Sequence, residues 1–336
     1  NEGSKYGFFT TNRYFKEGGY GNLIGIDGLF TFNKIWRFQF ELSKSFNKEP
    51  FANWIESDET FLDKTVKLDG ENFKGSANYI RLSRNTEHWN TYLFYKGISP
   101  GFRADVGFVP RINRRYGSIY QGYTSFFDKK YLKEFNTSLK GDINYNYDNQ
   151  LKTKNFEFNI SIKTFGKTEI GYVYEYNLFR KYLNIDFKHY GKSRIGIRGF
   201  PTEKLTFDFE GKIGKEIAFN EVTPKIGEEK TIFFSLAYKL GYNINVSSSI
   251  NYSRLENFKN NKAIYDGYIS RLSFRYQFNN DFSIRLVSEY NKFNDTFLLQ
   301  PLIKWNPNPS TIFYIGGIQN SINSFELEPE DFDPFR

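Results

Sequence analysis

Residues 230–252 read KTIFFSLAYKLGYNINVSSSINY, and their apolar side chains fall on alternate positions. The apolar set is Ile232, Phe234, Leu236, Tyr238 and Leu240, followed after Gly241 by Tyr242, Ile244, Val246, Ile250 and Tyr252. Successive side chains of a β-strand point to opposite faces, so this spacing gives each segment one apolar and one polar face. The stretch predicts two amphipathic strands joined by a turn at Gly241.

The same two-residue period recurs along the rest of the chain. It is clear in the segments 155–163, 170–177, 183–188, 205–210 and 271–278. No segment of comparable length shows the 3.6-residue period of an amphipathic helix. The sequence therefore predicts an all-β fold.

Short turn signals and a few longer irregular stretches separate these segments. The turn signals are Asn33–Lys34, Asp148–Asn149, Gly166–Lys167, Pro201–Thr202, Gly241, Asn279–Asp281 and Asn306–Pro309. The longer stretches are 48–72, 99–112, 218–229 and 255–264. Between them lie roughly 16–18 strands, many of about ten residues or more, whereas soluble strands run about five or six and membrane-crossing strands about nine to eleven. Long strands on a continuous meander predict an antiparallel transmembrane β-barrel.

The composition agrees with a barrel. The 336-residue chain holds 38 Phe, 25 Tyr and 4 Trp, yet its mean hydropathy is −0.60. So many aromatic residues exclude a disordered chain, and no run approaches the roughly 18 apolar residues of a membrane helix. Phe and Tyr crowd the apolar face, as at 92–95 and 313–314. That is typical of the aromatic girdles of a barrel rather than the core of a soluble sandwich, and the polar face would line a lumen.

The C-terminal residues do not continue the pattern. The segment 321–336 is acidic and interrupted by Pro329 and Pro334, and proline cannot donate to a β-ladder. We expect residues 1–320 to form the barrel and 321–336 a tail or loop. Closure then uses Phe313–Ile318 as the last strand, or strands are missing from one end. The absence of methionine indicates a processed piece of a longer product.

The segment GFRADVGFVPR at 101–111 resembles a known family, the barrel-containing proteins of Bacteroidota that carry a C-terminal domain of unknown function. Three other segments fit the same family: NLIGIDGLF at 22–30, RLVSEYN at 285–291 and IKWNPNPSTIFYIG at 303–316. The resemblance implies an outer-membrane barrel in a Gram-negative, Bacteroidota-like envelope. Longer members place a family-9-like carbohydrate-binding module before the barrel, and neither that module nor the first barrel strands are found in this sequence.

The charges in and after this segment are the candidate site. Arg103 and Asp105 would share a face if extended, and Arg111, Arg114 and Arg115 form a basic cluster. One interpretation is a lumen constriction or docking loop. The other is a structured loop whose charges simply pair.

Candidate catalytic residues are few, because the chain has no Cys and two His. His88 lies in a turn signal, and we expect it to be exposed. His189 falls near a predicted strand end with Ser193 close by, but the spacing supplies no catalytic triad. We therefore expect that the chain is not an enzyme.

Acidic residues of the 48–72 stretch are the candidate metal ligands. Asp63, Asp69 and Glu71 offer oxygens of the kind that Ca²⁺ takes, without a recognised calcium spacing. We expect solvated charges here, with neither metal nor cofactor.

The net charge of +8 is spread over nearly every strand rather than gathered in one patch, which disfavours nucleic acid as a partner. The positive excess suits anionic lipopolysaccharide outside a barrel, or anionic solutes in its lumen. We expect the lipid bilayer and lipopolysaccharide as partners, in the outer membrane of a Gram-negative cell.

Three functions remain open. The first is an outer-membrane barrel with a polar lumen for porin-like passage or binding of small solutes, with Arg103, Asp105 and Arg111 at a constriction. The second is a barrel subunit of a larger outer-membrane complex for protein export, assembly or surface anchoring, docked to other outer-membrane or surface proteins. The third, a membrane-embedded hydrolase, requires a catalytic His189.

Overall fold

The structure, a computed structural model, describes residues 3–322 except positions 17, 54, 58, 62, 63, 66 and 259. Within that part of the chain the regular structure is β-strand, apart from one 3₁₀ turn at Phe165–Lys167. No helix there is long and apolar enough to cross a membrane. The all-β prediction is confirmed.

Eighteen strands of the described chain form one antiparallel sheet. They are β1 (Lys5–Tyr14), β2 (Tyr20–Phe32), β3 (Trp36–Lys48), β8 (Asn72–Asn85), β9 (Trp89–Ile98), β10 (Arg114–Phe126), β11 (Leu132–Tyr145), β12 (Leu151–Thr164), β13 (Glu169–Tyr182), β14 (Ile185–Thr202), β15 (Leu205–Ile217), β16 (Ile226–Leu240), β17 (Ile244–Glu256), β18 (Ala263–Gln277), β19 (Phe282–Asn291), β20 (Thr296–Asn308), β21 (Thr311–Gly316) and β22 (Gln319–Ile322). Four two-residue strands lie between β3 and β8: β4 (Phe51–Ala52), β5 (Thr60–Phe61), β6 (Lys64–Thr65) and β7 (Leu68–Asp69).

The chain divides into two compact units, of which the first comprises Asn1–Ser125, Asn136–Ile160 and Glu175–Tyr190. Here β1, β2, β3, β8, β9 and β10 are hydrogen-bonded in that order, each pair antiparallel. The ladder between β3 and β8 is unbroken from Trp36↔Arg84 to Lys48↔Asn72. Neighbours in sequence are therefore neighbours in the sheet, as in a meander.

The second unit comprises Phe126–Phe135, Ser161–Tyr174 and Gly191–Arg336. Strands β14 to β20 pair in chain order, all antiparallel. Strand β20 then pairs with both β21 and β22. This unit repeats the up-and-down order of the first.

Burial in this sheet is the reverse of that in a soluble sheet. In β3 the polar Ser43, Ser45 and Asn47 are buried, whereas Leu42 and Phe46 at the alternate positions are 38% and 41% exposed. A soluble sandwich buries its apolar face. The predicted fold class, an antiparallel transmembrane β-barrel of roughly 16–18 strands, is thus confirmed in strand number, length, order and the direction of its apolar face.

The exposed apolar face has the height of a lipid layer. In β16 the side chains of Ile232, Phe234, Leu236, Tyr238 and Leu240 are all exposed. The first and last are eight residues apart, and at about 3.3 Å per residue they span about 26 Å. Membrane barrels carry an outward apolar band about 25 Å tall.

One predicted strand start is wrong. Leu183, expected at the start of a strand, lies instead with Asn184 in a two-residue turn between β13 and β14, where both have positive φ (44° and 62°). Two positive φ angles define the type I′ turn that matches the twist of a hairpin. The predicted break at Pro201–Thr202 also shifts, because β14 continues to Thr202.

The C-terminal hairpin differs from the prediction as well. Strand β20 runs on to Asn308, and β21 and β22 replace the predicted last strand Phe313–Ile318. The gap between β21 and β22 faces Pro301, which has no N–H to donate, although its carbonyl accepts from the Gly317 amide at 3.2 Å. Of the predicted tail, residues 323–336 lie outside the described chain.

Candidate functional site

A loop of residues 99–113, between β9 and β10, packs on the polar face of the first unit. The backbone amide of Arg103 donates to Ser45 Oγ at 3.1 Å, and Asn47 Nδ2 donates to Asp105 Oδ2 at 3.0 Å. The neighbouring Phe102 is 5% exposed. The 99–113 loop is therefore attached to the buried polar side chains of β3.

Two strand glycines make room for the 99–113 loop. A Cβ atom added at Gly75 would lie 2.2 Å from the backbone nitrogen of Phe102, and one at Gly21 would lie 1.9 Å from Asp105 Oδ2. Glycine within a strand often marks such a close approach of another segment. These contacts fix the loop to β8 and β2 as well as to β3.

A buried ion pair also holds the 99–113 loop in place. Arg103 donates to Glu49 Oε1 at 2.5 Å, and the Glu49 side chain is 4% exposed. The Arg103 guanidinium carbon also lies 3.3 Å from the centre of the Phe73 ring. An arginine stacked on an aromatic ring and bonded to a carboxylate is held in one orientation.

Three carboxylates meet beside this ion pair. One oxygen each from Glu49, Asp69 and Glu71 lies within 4.8 Å of the others. Thr65 donates to two of them, from its amide to Glu71 at 2.9 Å and from its hydroxyl to Asp69 at 2.7 Å. The structure thus brings together two of the predicted acidic residues and adds Glu49, while Asp63 lies outside the described chain.

The surroundings of Glu49 affect its ionisation. Burial raises the pKa of the Glu49 carboxyl, and the nearby Asp69 and Glu71 charges raise it further, while Arg103 acts in the opposite direction. Ca²⁺ takes six to eight oxygen ligands, and Arg103 already occupies one oxygen of Glu49. We therefore assign no metal to this cluster.

A cavity of about 660 Å³ borders the 99–113 loop. It is lined by Phe15, Asn47, Lys48, Glu49, Pro50, Phe51, Ala52, Asn53, Leu68, Arg103 and Asp105. Small-molecule sites have volumes of about 300–1,000 Å³ and combine apolar walls with a few placed polar groups. Arg103 and Asp105, both predicted site residues, contribute charges to its wall together with Lys48 and Glu49.

The three other predicted site residues lie elsewhere. Arg114 Nε donates to Asn144 Oδ1 at 3.2 Å, and Arg115 donates to the Asn146 carbonyl at 2.8 Å. Arg111 is exposed in the loop. Thus Arg103 and Asp105 form one cluster, while Arg114 and Arg115 bond the polar residues of the β11–β12 hairpin.

The predicted histidines have different surroundings. His88 is exposed, as expected, with Nδ1 2.9 Å from the Thr124 carbonyl. His189 lies inside β14 rather than near its end, has a φ of 55°, and places Nδ1 3.2 Å from Tyr176 Oη. Ser193 Oγ lies 2.9 Å from Tyr172 Oη. Each of the two residues proposed for a hydrolase thus has a tyrosine partner.

Sequence reasoning missed Ser45, Asn47 and Glu49, the residues that receive the loop. Their signal was available, because polar side chains occupy every second position from Ser43 to Glu49. That pattern marks a polar strand face, but it does not reveal which loop packs on it.

The strand order and outward apolar face define the fold of an outer-membrane β-barrel protein. No protein-family model and no curated protein matches the chain. Among solved structures, the chain is similar to OmpTdeltaL8, a loop L8 deletion mutant of OmpT, an outer membrane protein of Vibrio cholerae. The identity is 12% and the TM-score 0.40, with 95% of this chain and 100% of that chain covered. The likeness is one of general fold.

The prediction that the chain is not an enzyme needs correction. It took the lack of a recognisable triad in the sequence as grounds for excluding catalysis, but a catalytic triad is defined by the geometry of its side chains and not by their spacing along the chain. Fold alone does not decide function. The exclusion is therefore withdrawn.

Proposed function

We propose that this chain is an outer-membrane barrel that binds or passes small solutes along its polar face. The observation that carries the proposal is the cavity between the end of β3 and the 99–113 loop, which has apolar and charged walls and belongs to a sheet whose apolar face is exposed. Lipid covers the exposed face of such a sheet, and water fills the side that bears the polar residues.

In this proposal Arg103 and Asp105 form a constriction. Both belong to a loop that packs on the polar face, and each is held by a partner on or next to β3. A fixed pair of opposite charges can orient a zwitterionic or polar solute, because the protein has already met the cost of positioning the charges.

A barrel subunit of a larger outer-membrane complex is the second candidate. The exposed apolar tip of the same loop favours it, since Val106 is 62% and Phe108 is 88% exposed. Exposed aromatic side chains are common anchors in protein interfaces. In that case the 99–113 loop is a docking loop and conduction is incidental.

Planar-bilayer recording of the purified full chain tests the proposal. We expect discrete conductance steps, and a larger step for the double variant Arg103→Ala, Asp105→Ala. The matched control replaces two charges of the polar face elsewhere in the sheet, Arg198 and Asp208, whose Nη2 and Oδ2 atoms are 2.5 Å apart. Membrane-inserted protein that conducts no ions would contradict solute passage, and co-purification with a fixed partner would then favour the second candidate.

Lineage and lipid contacts belong to the same proposal. The 101–111 segment supports a relationship to the Bacteroidota barrel family, and the +8 charge supports contact with anionic lipopolysaccharide. Binding of the chain to lipopolysaccharide-containing vesicles in preference to neutral ones tests the second point.

A further inference from the structure

A second cavity, of about 290 Å³, opens in the second unit at the turn between β18 and β19. Its lining includes Arg275, Asp281, Ser283, Arg285, Lys304 and Asn306. Phe274, next to Arg275, and Leu286, next to Arg285, are exposed on the opposite, apolar face. The cavity therefore belongs to the polar face of the sheet.

Three cations gather in this cavity. Arg275 and Arg285 are direct partners across β18 and β19, and Lys304 on β20 faces Ser283, two residues from Arg285. Like charges directly opposite each other on antiparallel strands repel and destabilise the pair. Asp281 is the single acidic residue of the lining.

The side chains of Arg275, Arg285 and Lys304 have no hydrogen bond or ion pair with any residue in the described part of the chain. Arg285 Nε is buried there without a partner, and so is Asn306 Oδ1. A buried donor without a partner is costly, so an acceptor that reached Arg285 Nε would stabilise this site.

Several other strand cations of the same unit have acidic partners. Lys192 lies 2.6 Å from Glu216, Lys230 lies 2.7 Å from Glu256, and Arg271 lies 3.6 Å from Glu289. Arg271 is on the same strand and the same face as Arg275, four residues before it. The unpaired Arg275 thus contrasts with Arg271, which has an acidic partner on the same strand face.

We propose that this cavity binds a phosphate group, either as inorganic phosphate or as part of a small phosphorylated solute. Planar guanidinium groups bind the oxygens of a phosphate with two parallel hydrogen bonds, and a lysine adds a point charge. A bound dianion removes the repulsion between Arg275 and Arg285 and gives Arg285 Nε an acceptor. Phosphorylated solutes are thus the substrate class that we infer for the proposed lumen. The biological role of the site rests on the proposed function.

Calorimetric titration of the purified full chain in detergent tests the inference with inorganic phosphate, a hexose phosphate and the neutral hexose. We expect phosphate and hexose phosphate to bind and the neutral sugar not to bind. The variant Arg275→Gln, Arg285→Gln should bind at least tenfold more weakly. The control Arg271→Gln changes the charge on the same strand face and should bind as the parent does. Tighter binding of the hexose phosphate identifies an organic phosphate as the source, and equal affinities identify the free ion.

Strand content by circular dichroism verifies that the variants fold, and removal of a repulsive pair should not lower it. The inference is overturned if phosphate fails to bind, if the double variant binds as tightly as the parent, or if Arg271→Gln loses as much affinity. These measurements need no conductance. A chain that binds phosphate but conducts no ions would refute solute passage and leave the phosphate site in place.

Discussion

The two carboxylate oxygens of Glu49 have different surroundings. Oε1 accepts from Arg103, whereas Oε2 is buried without a hydrogen-bond partner in the described chain. Burial raises the pKa of this carboxyl in the folded state, and the neighbouring carboxylates add to the effect. We therefore expect attachment of the 99–113 loop to depend on pH.

Glu49 should make the stability of the chain fall as pH rises. A raised pKa means that the folded chain binds a proton that the unfolded chain has released, so stability is highest below the unfolded pKa and is lost as pH passes through the folded one. Urea unfolding in micelles at several values above about pH 4, compared with Glu49→Gln, measures this contribution. We expect the difference between parent and variant to change across that range.

The exposed Glu41 of β3 provides the control, because Glu41→Gln removes a carboxylate of the same strand without touching the loop. If Glu49→Gln and the parent show the same pH profile, the buried carboxyl does not titrate in this window and the coupling is absent.

Gly75 permits the loop to lie against β8, and a methyl group there should displace it. The added Cβ would meet backbone atoms of Phe102, which cannot move aside as a flexible side chain does. Trypsin should therefore cut Gly75→Ala after Arg103 at least tenfold faster than the parent. Gly117→Ala is the matched control, since its Cβ would lie an ordinary 3.5 Å from Ile143. Equal cleavage rates of parent and Gly75→Ala would show that the loop is not held there.

Sequence alone predicted part of this cluster. Arg103 and Asp105 were identified because two charges occur in a glycine-containing loop. Their partners Glu49 and Gly75 lie far away in sequence, and only the register of β3 with β8 brings them to the loop. No local spacing encodes that register, so the site was half predicted.

At the scale of a single element, β16 shows the outward apolar face most clearly. Leu236 lies at the centre of its exposed band, and Ser235 next to it points to the opposite face. A cation on the lipid face at mid-depth costs about 2–4 kcal/mol, whereas polar-face positions tolerate charge.

We expect Leu236→Arg to lower the unfolding free energy in lipid vesicles by about 2–4 kcal/mol. Ser235→Arg should change it by less than about 1 kcal/mol, since its side chain remains on the polar face. Reversible urea unfolding monitored by tryptophan fluorescence provides both values. Equal losses for the two variants would mean that lipid does not cover this face.

Strand boundaries were predicted correctly where the turn residues are typical of turns. Asn33–Lys34 was recognised as a turn, and both residues adopt positive φ (49° and 61°). The turn at Leu183–Asn184 was missed because leucine is rare at positive φ and the alternation continues through it. The hydrophobic period therefore predicted the strands, whereas the boundary between β13 and β14 was missed because its turn residues are unusual.

For the whole molecule, the exposed apolar face determines the solvent in which the fold is stable. Dilution from urea into detergent micelles should yield full strand content and a single species in sedimentation. Dilution into detergent-free buffer should yield aggregate, because the exposed band would meet water. A monodisperse, folded chain without detergent would instead identify a soluble sheet and refute the membrane assignment.

The sequence predicted both faces of this sheet, since alternation is a local property. Which face points outward was predicted only from the abundance of Phe and Tyr, a weaker argument. The burial of Ser45 and the exposure of Phe46 show directly that the apolar face points outward. The pairing of the cations Arg275 and Arg285 was not predicted, because the sequence of one strand does not show which residues of the next strand lie opposite it.

The interruption opposite Pro301 divides the C-terminal edge into two pieces with separate dynamics. Strand β22 is paired with β20 only from Thr296↔Ile322 to Leu299↔Gln319. This short ladder is separated from the β20–β21 ladder by Pro301, which has no N–H to donate. Short pieces separated by such a gap can detach without unzipping their neighbour. Amide hydrogens of β22 should thus exchange with solvent ahead of those in β21, making this edge the first to fray and the natural place for another strand to add.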